Sequence, residues 1–221
     1  MTPNEYQQAA LRTEKTPLFT NDADGVPSLR LSRMMHALLG LNTEQAEMHT
    51  ALIDHLAFGT ELDLVNFAEE TGDQLWYIAL GLDAIGMTME HALGNVDLLA
   101  RWETLRLDTP SFIVATGDES QRQLALLSEA HAGMNIHQAE AADVYKKHFI
   151  YGKPINERAL CQMFRDQLVY AYVAARAAGS SLEEVMERNI AKLKARYPEK
   201  FTQEQALNRD LETERAILEG K

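Results

Sequence analysis

Residues 42–48, NTEQAEM, and residues 68–77, AEETGDQLWY, decide how this chain is read. Each stretch carries two acids three positions apart: Glu44 and Glu47 in the first, Glu70 and Asp73 in the second. Residues three apart share a face of an α-helix, so each stretch presents two carboxylates to one place. The neighbours are apolar, with Leu38, Leu39, Leu41 and Met48 around the first pair and Leu75, Trp76 and Ile78 after the second. Four carboxylates turned toward a helical core are costly unless a cation sits among them. A divalent metal is the expected cation. The bland alternative, two solvated helix faces, requires both ordered motifs to be accidents.

The rest of the composition narrows the setting. A chain of 221 residues, 46% of them hydrophobic, is long enough for a sizeable core in one or two domains. Its formal charge of −12 argues against a nucleic-acid-binding surface and gives no support to an anionic-membrane role. A small phosphorylated ligand stays compatible, because a metal reverses the local sign. Cys161 is the lone cysteine, so an internal disulfide and cysteine-based zinc sites are excluded, and it reads as a small buried hydrophobe. The opening MTPNEYQQAALRTEK is polar and does not read as a signal peptide, and no apolar run is long enough to span a bilayer. The expectation is a soluble cytoplasmic protein.

Ala, Leu, Glu and Gln dominate between sparse prolines and glycines, which favours helices throughout. A short helix is expected near the N-terminus, followed by the turn-rich TNDADGVPS (20–28). Ser28 is placed to cap a helix toward Phe58, with an interruption near Gly40 and Asn42. Further helices are expected over about 61–84, from Thr88 to about Leu105, and over 119–150, 155–178, 181–196 and 203–218. Residues 107–118, LDTPSFIVATGD, hold the one β-like run, Phe112–Val114, and read as a linker.

An internal repeat organises these helices. At an offset of 93 residues, NTEQAEM falls on NIHQAEA, HLAFG on HFIYG and GDQLWY on RDQLVY. Gln45, Ala46 and Glu47 match Gln138, Ala139 and Glu140; Asp73, Gln74 and Leu75 match Asp166, Gln167 and Leu168; Gly59 and Gly86 match Gly152 and Gly179. The reading is a tandem duplication of a helical unit whose copies pack as a pseudo-twofold pair within one chain. The copies have diverged: His137 stands at the position of Glu44 and Met163 at that of Glu70. The second copy has lost half the acids, and one metal site per chain is expected. It ends instead in NIAKLKARYPEKF (189–201), with Asn189, Lys192 and Arg196, whereas the first copy keeps Asn95 but has Leu98 in place of Lys192.

Taken together, these residues resemble the all-α nucleoside triphosphate pyrophosphohydrolases, the MazG-like superfamily that also includes the dimeric dUTPases. That family's signature is an ExxE pair followed one helix later by an ExxD pair, matched here by Glu44-Glu47 and Glu70-Asp73. HALLGLNTEQAEM, EETGDQLWYIA and the ending RNIAKLKARYP resemble its successive helices. The resemblance covers roughly residues 28–106 and, more weakly, 119–200. It implies an all-α fold of tandem MazG-like four-helix units packed as an intrachain pseudo-dimer, with room for a further homodimer. Residues 1–27 would form an extension, 28–106 the repeat with the metal site, 107–118 the linker, 119–200 the degenerate repeat and 201–221 a C-terminal helix. The implied reaction is hydrolysis of a nucleoside or deoxynucleoside triphosphate to the monophosphate and pyrophosphate, controlling a nucleotide pool. Glu44, Glu47, Glu70 and Asp73 would ligate Mg²⁺, with Mn²⁺ as a substitute, and Glu44 or Glu47 would orient or deprotonate the attacking water. Asn189, Lys192 and Arg196 would hold the substrate. The base and sugar are left open, guanosine alarmones included.

Blander readings stand beside several of these residues. Lys192 and Arg196 lie near a helix C-terminus, where the dipole favours basic residues anyway. Glu69 points about 100° away from Glu70 and reads as solvated or supporting. Trp76 and Tyr77 read as core packing before base stacking. His36 and His49 read as structural or surface residues, and Asp166 and Glu140 as relics paired with Arg158 or Arg165. The tail after Phe201 reads as a packing arm. In functional terms the alternatives are a non-catalytic nucleotide- or alarmone-binding protein on the same scaffold, or a purely structural bundle.

Overall fold

The computed structural model describes residues 1–15, 28–108 and 118–221. Among them are ten helices and no strand, so the chain is all-α as expected. Most of the expected turn region and the β-like run Phe112–Val114 lie outside the described residues.

α1 (Pro3–Leu11) begins at a capping box, in which the Thr2 side chain accepts from the Glu5 amide and Glu5 reaches back to the Thr2 amide. α2 (Ser28–Phe58) runs unbroken through Gly40 and Asn42, against the expected interruption. Gly40 serves packing here: a Cβ at this position would collide with the ring of Tyr77 on α3 (Leu64–Ala84). α3 starts at its cap Asp63, later than expected, because the Asp63 carboxylate accepts from the amides of Val65 and Asn66. The expected third helix is split. Thr88 caps the short α4 (Met89–Leu93), the chain turns at Gly94, and Asp97 then caps α5 (Leu98–Asp108).

The second half repeats this plan. α6 (Glu119–Tyr151) ends 93 residues after α2, and both bounds of α7 (Glu157–Ala177) lie 93 residues after those of α3. The helix ends repeat as well. Gly59 and Gly152 follow α2 and α6 in the left-handed region, with φ of +69° and +64°. His55 and His148 each donate from Nδ1 to a carbonyl just beyond, that of Thr60 and Lys153, at 2.7 Å in both cases. Gly133 meets the ring of Tyr170 as Gly40 meets that of Tyr77. After α7 comes α8 (Leu182–Arg196), capped by Ser181 at the position matching Thr88. The expected last helix is broken into α9 (Gln203–Leu207) and α10 (Leu211–Leu218), with Asp210 capping the second piece.

The four long helices α2, α3, α6 and α7 pack together around the core, and α3 and α7 are its buried centre. Leu75, Ile78, Leu82, Phe164, Leu168 and Tyr170 have no solvent exposure. Each such aliphatic side chain contributes about 1.5–3 kcal/mol of transfer free energy. α2 and α6 run antiparallel: Gln45 donates to the His131 carbonyl at one level, and Tyr145 donates to the Leu31 carbonyl at another. The helices that follow each hairpin cross to the other half. α4 and α5 pack on α7, and α8 packs on α3. α1 fills the notch between α3, α4 and α8, where Gln7 donates to the carbonyls of Ala79 and Met87 and accepts from the Met89 amide. No described helix is long and apolar enough to cross a membrane.

The Gly133–Tyr170 contact yields a test far from the acids. In Gly133→Ala the new methyl has to displace a fully buried ring, an overpacking cost of about 1–3 kcal/mol that about 1 kcal/mol of improved helix propensity only partly offsets. Urea unfolding is expected to show a net loss of up to about 2 kcal/mol. A variant more stable than the parent would contradict the close packing.

Candidate metal centre and its cavity

Glu44 and Glu47 lie mid-helix on α2, and Glu69, Glu70 and Asp73 lie on the facing side of α3. Glu44, Glu47 and Glu70 converge, each offering a carboxylate oxygen within 4.8 Å of the others. Glu70 is buried, Glu44 half-buried and Glu47 exposed. Burial raises the pKa of Glu70 to about 9, with Asp73, Glu47, Glu44 and Glu69 adding to the shift. Glu44 is raised to about 7 by burial, then by Asp73 and Glu47, and it shares a hydrogen bond with Glu70. Without a cation, then, protons neutralise the cluster. Three convergent carboxylates, two of them (Glu44 and Glu70) with their ionisation opposed by burial and neighbouring acids, fit a hard divalent cation with oxygen ligands such as Mg²⁺ or Mn²⁺.

Asp73, the fourth expected ligand, lines the same cavity but is held from the other side. Lys192 Nζ lies 2.7 and 2.6 Å from its two oxygens, and Asn189 Nδ2 donates to Oδ1 at 2.7 Å. Lys192 also contacts Glu69 Oε1 at 3.1 Å and has no solvent exposure. Burial alone would lower the pKa of this ammonium, but Asp73 and Glu69 outweigh it and leave it raised. Lys192 and Asn189 therefore meet the acids directly, and Glu69 is an ion-pair partner rather than a solvated acid. The Tyr6 hydroxyl lies 2.9 Å from Asn189 Oδ1 and 3.1 Å from the Gly72 carbonyl, locking α1, α3 and α8 together.

The acids line a cavity of about 600 Å³, within the range of small-molecule sites. Trp76, Tyr77, His36, Tyr197 and Phe201 supply an aromatic lining. Trp76 is nearly buried and donates to the Ala10 carbonyl and Thr13 Oγ1, 3.0 Å each, so it is packed as expected while also facing the cavity. His36 lies edge-on to both Trp76 and Tyr77, with centroids 5.6 Å apart in each case. Arg196 reaches the cavity but is paired with the buried Glu214 of α10, its Nε and Nη2 donating at 2.8 and 2.5 Å. Burial would raise the Glu214 pKa, yet Arg196 and Arg209 hold it down at about 2.

Sequence spacing missed Tyr6, Thr13, Lys15, Asn66, Arg209 and Leu211. Tyr6 holds the network, and the other five line the cavity. Three of the six come from the N-terminal segment and two from the tail, and no local spacing signals where such segments dock.

The matching place in the second half is filled differently. His137 contacts Glu140 at 2.9 Å, and Asp166 accepts a two-point contact from Arg101 at 3.1 and 2.9 Å. Arg165 Nε lies farther from Asp166, at 3.5 Å, so the main partner is Arg101 rather than Arg158 or Arg165. Cys161 is half-buried, more open than the buried position expected for it. Comparison with family models, with curated proteins and with solved structures gives no match to this chain.

The raised Glu70 pKa sets a pH dependence. An unfolded glutamate loses its proton near 4.5, whereas folded Glu70 keeps it up to about 9. Between those values the folded state binds more protons, so stability falls as pH rises through the window. With metal chelated, Glu70→Gln is expected to match the parent near the acid end and to become progressively more stable than it toward the alkaline end. Stability curves that stay parallel from pH about 4.5 to 9 would contradict the buried, crowded environment of this carboxyl.

Proposed function

We propose that the chain is a metal-dependent nucleoside triphosphate pyrophosphohydrolase of the MazG-like kind, acting on a nucleoside or deoxynucleoside triphosphate. The observation that carries this reading is the convergence of Glu44, Glu47 and Glu70 in a cavity that aromatic and basic side chains also line. A nucleotide has that polarity: a base to pack on rings, and a phosphate chain to meet charge. Bound Mg²⁺ would supply charge neutralisation between the carboxylates and the phosphate oxygens.

The chain's own residues do the rest. Glu44, Glu47 and Glu70 hold the cation. Glu47 is exposed to the cavity and has no hydrogen bond or ion pair among the described residues, which suits it to take the proton of the attacking water. The water oxygen bonds to the α-phosphorus, the bond from that phosphorus to the oxygen bridging to the β-phosphate breaks, and pyrophosphate leaves with that bond's electron pair. Lys192 and Asn189 fix Asp73, and with it the face that α3 turns to the site. Arg196, whose Nε and Nη2 are engaged by Glu214, turns its remaining Nη1 to phosphate oxygens. The matched helix bounds, caps and aromatic–glycine contacts at an offset of 93 residues support the companion reading, a tandem duplication packed as an intrachain pseudo-dimer.

A second reading, a non-catalytic nucleotide- or alarmone-binding protein, draws on Asp73, whose two oxygens face Lys192 rather than the three glutamates. Pyrophosphate release from a panel of NTPs, dNTPs and guanosine alarmones, with and without Mg²⁺, separates the two. Metal-dependent release from at least one nucleotide is expected, and Glu47→Gln is expected to lower kcat by about a hundredfold or more, in line with losing a general base, with its helicity unchanged. Tight nucleotide binding with no release would favour the second reading, and a fully active Glu47→Gln would remove the assignment of the base.

A further inference from the structure

The tail forms a wall of the cavity that the spacing of the acids does not account for. α10 is fastened at two points. Arg215 contacts both oxygens of Asp63, the cap of α3, at 2.6 and 3.1 Å. Glu214 sits between two guanidinium groups, Arg196 of α8 and Arg209 of the turn before α10. Arg209 donates to Glu214 Oε2 from Nε at 3.2 Å and from Nη2 at 2.7 Å. Its Nη2 lies 4.0 Å from Oε1 of Glu69, and Arg209 lines the cavity together with Arg196, Glu69 and Asp73.

The pairing on this wall is uneven. Two guanidinium groups share one carboxylate, and the next acid, Glu69, is already in contact with Lys192. Among the described residues, Nη1 of Arg196 and Nη1 of Arg209 have no hydrogen-bond partner. The Arg209 side chain keeps 40% of its surface exposed although its orientation is fixed. A purely structural latch would not need a second arginine at the cavity, since Arg196 alone pairs both Glu214 oxygens. Two oriented guanidinium groups, each with an unengaged Nη1, on a cavity whose glutamates suit a metal, match a chain of phosphates.

We propose that Arg209 is a substrate-binding residue, its guanidinium oriented by Glu214 so that it joins Arg196 in holding the phosphate chain. This deepens the pyrophosphohydrolase reading and rests on it. Glu214 is a positioning residue that touches no substrate.

The test combines steady-state kinetics, on the nucleotide the parent turns over fastest, with calorimetric binding of inorganic tripolyphosphate in Mg²⁺. Loss of a charge-assisted contact predicts that Arg209→Ala raises both KM and the tripolyphosphate Kd by about 10–100-fold, with kcat nearly unchanged. Arg209→Lys recovers part of the loss, and Glu214→Gln raises KM in the same sense with kcat unchanged. Should Arg209→Ala unfold, Arg209→Gln carries the same expectation. An active parent whose KM and tripolyphosphate affinity are untouched by the Arg209 variants would overturn the inference and leave the pyrophosphohydrolase reading standing. A parent that binds tripolyphosphate through Arg209 but hydrolyses nothing would keep the phosphate site and overturn the reaction. A parent that neither hydrolyses nor binds would overturn both.

Discussion

A lysine ammonium with no access to solvent, Lys192, is the constraint on which the site depends. An unpaired charge in that position would cost several kcal/mol, so α8 is obliged to lie where Asp73 and Glu69 of α3 can surround it. That contact settles which way the acidic face of α3 divides. Glu69 and Asp73 turn to α8, and Glu70 is left to meet Glu44 and Glu47 of α2. Asn189, one turn before Lys192, adds a second contact to Asp73 and brings in Tyr6, so the placement of α1 follows from the same network. The arm is attached to its far edge, through Arg209 beside Glu69.

The two halves of the chain solve the same packing problem with different cations. Asp73 and Asp166 occupy matching positions on α3 and α7, and each is met by a base from the helix that crosses over from the other half: Lys192 for Asp73, Arg101 for Asp166. The crossing helices are thus fastened reciprocally. Around Asp166 two of the acids have gone, with His137 and Met163 where the first half has Glu44 and Glu70, while Glu140 remains at the position of Glu47. His137 packs tilted against the Tyr170 ring and pairs with Glu140, an arrangement that needs no added cation. Around Asp73 the acids persist, together with their mutual repulsion.

Much of this was legible in local spacing. The i,i+3 acids, the helix start at Thr88 and the matched glycines after α2 and α6 are short-range features whose physics acts within one or two turns. Gly40 misled because a helix-breaking residue and a residue that admits an aromatic ring look alike in sequence. Leu39 was grouped with the apolar neighbours of the acids but points to solvent, whereas Leu38, Leu41 and Met48 take the inward face. For Glu69 the sequence left solvated and supporting readings open, because the face it occupies is covered by α8, which begins more than a hundred residues later. Tyr6, Arg209 and Glu214 were out of reach altogether, because the docking of terminal segments leaves no periodic signal.

The central claim is that the convergent glutamates of the first half, and not the altered positions of the second, bind a divalent cation. Anomalous scattering from crystals grown with Mn²⁺ addresses it most directly. The account predicts manganese among Glu44, Glu47 and Glu70 and none beside His137 and Glu140. Manganese at both places, or at neither, would contradict it.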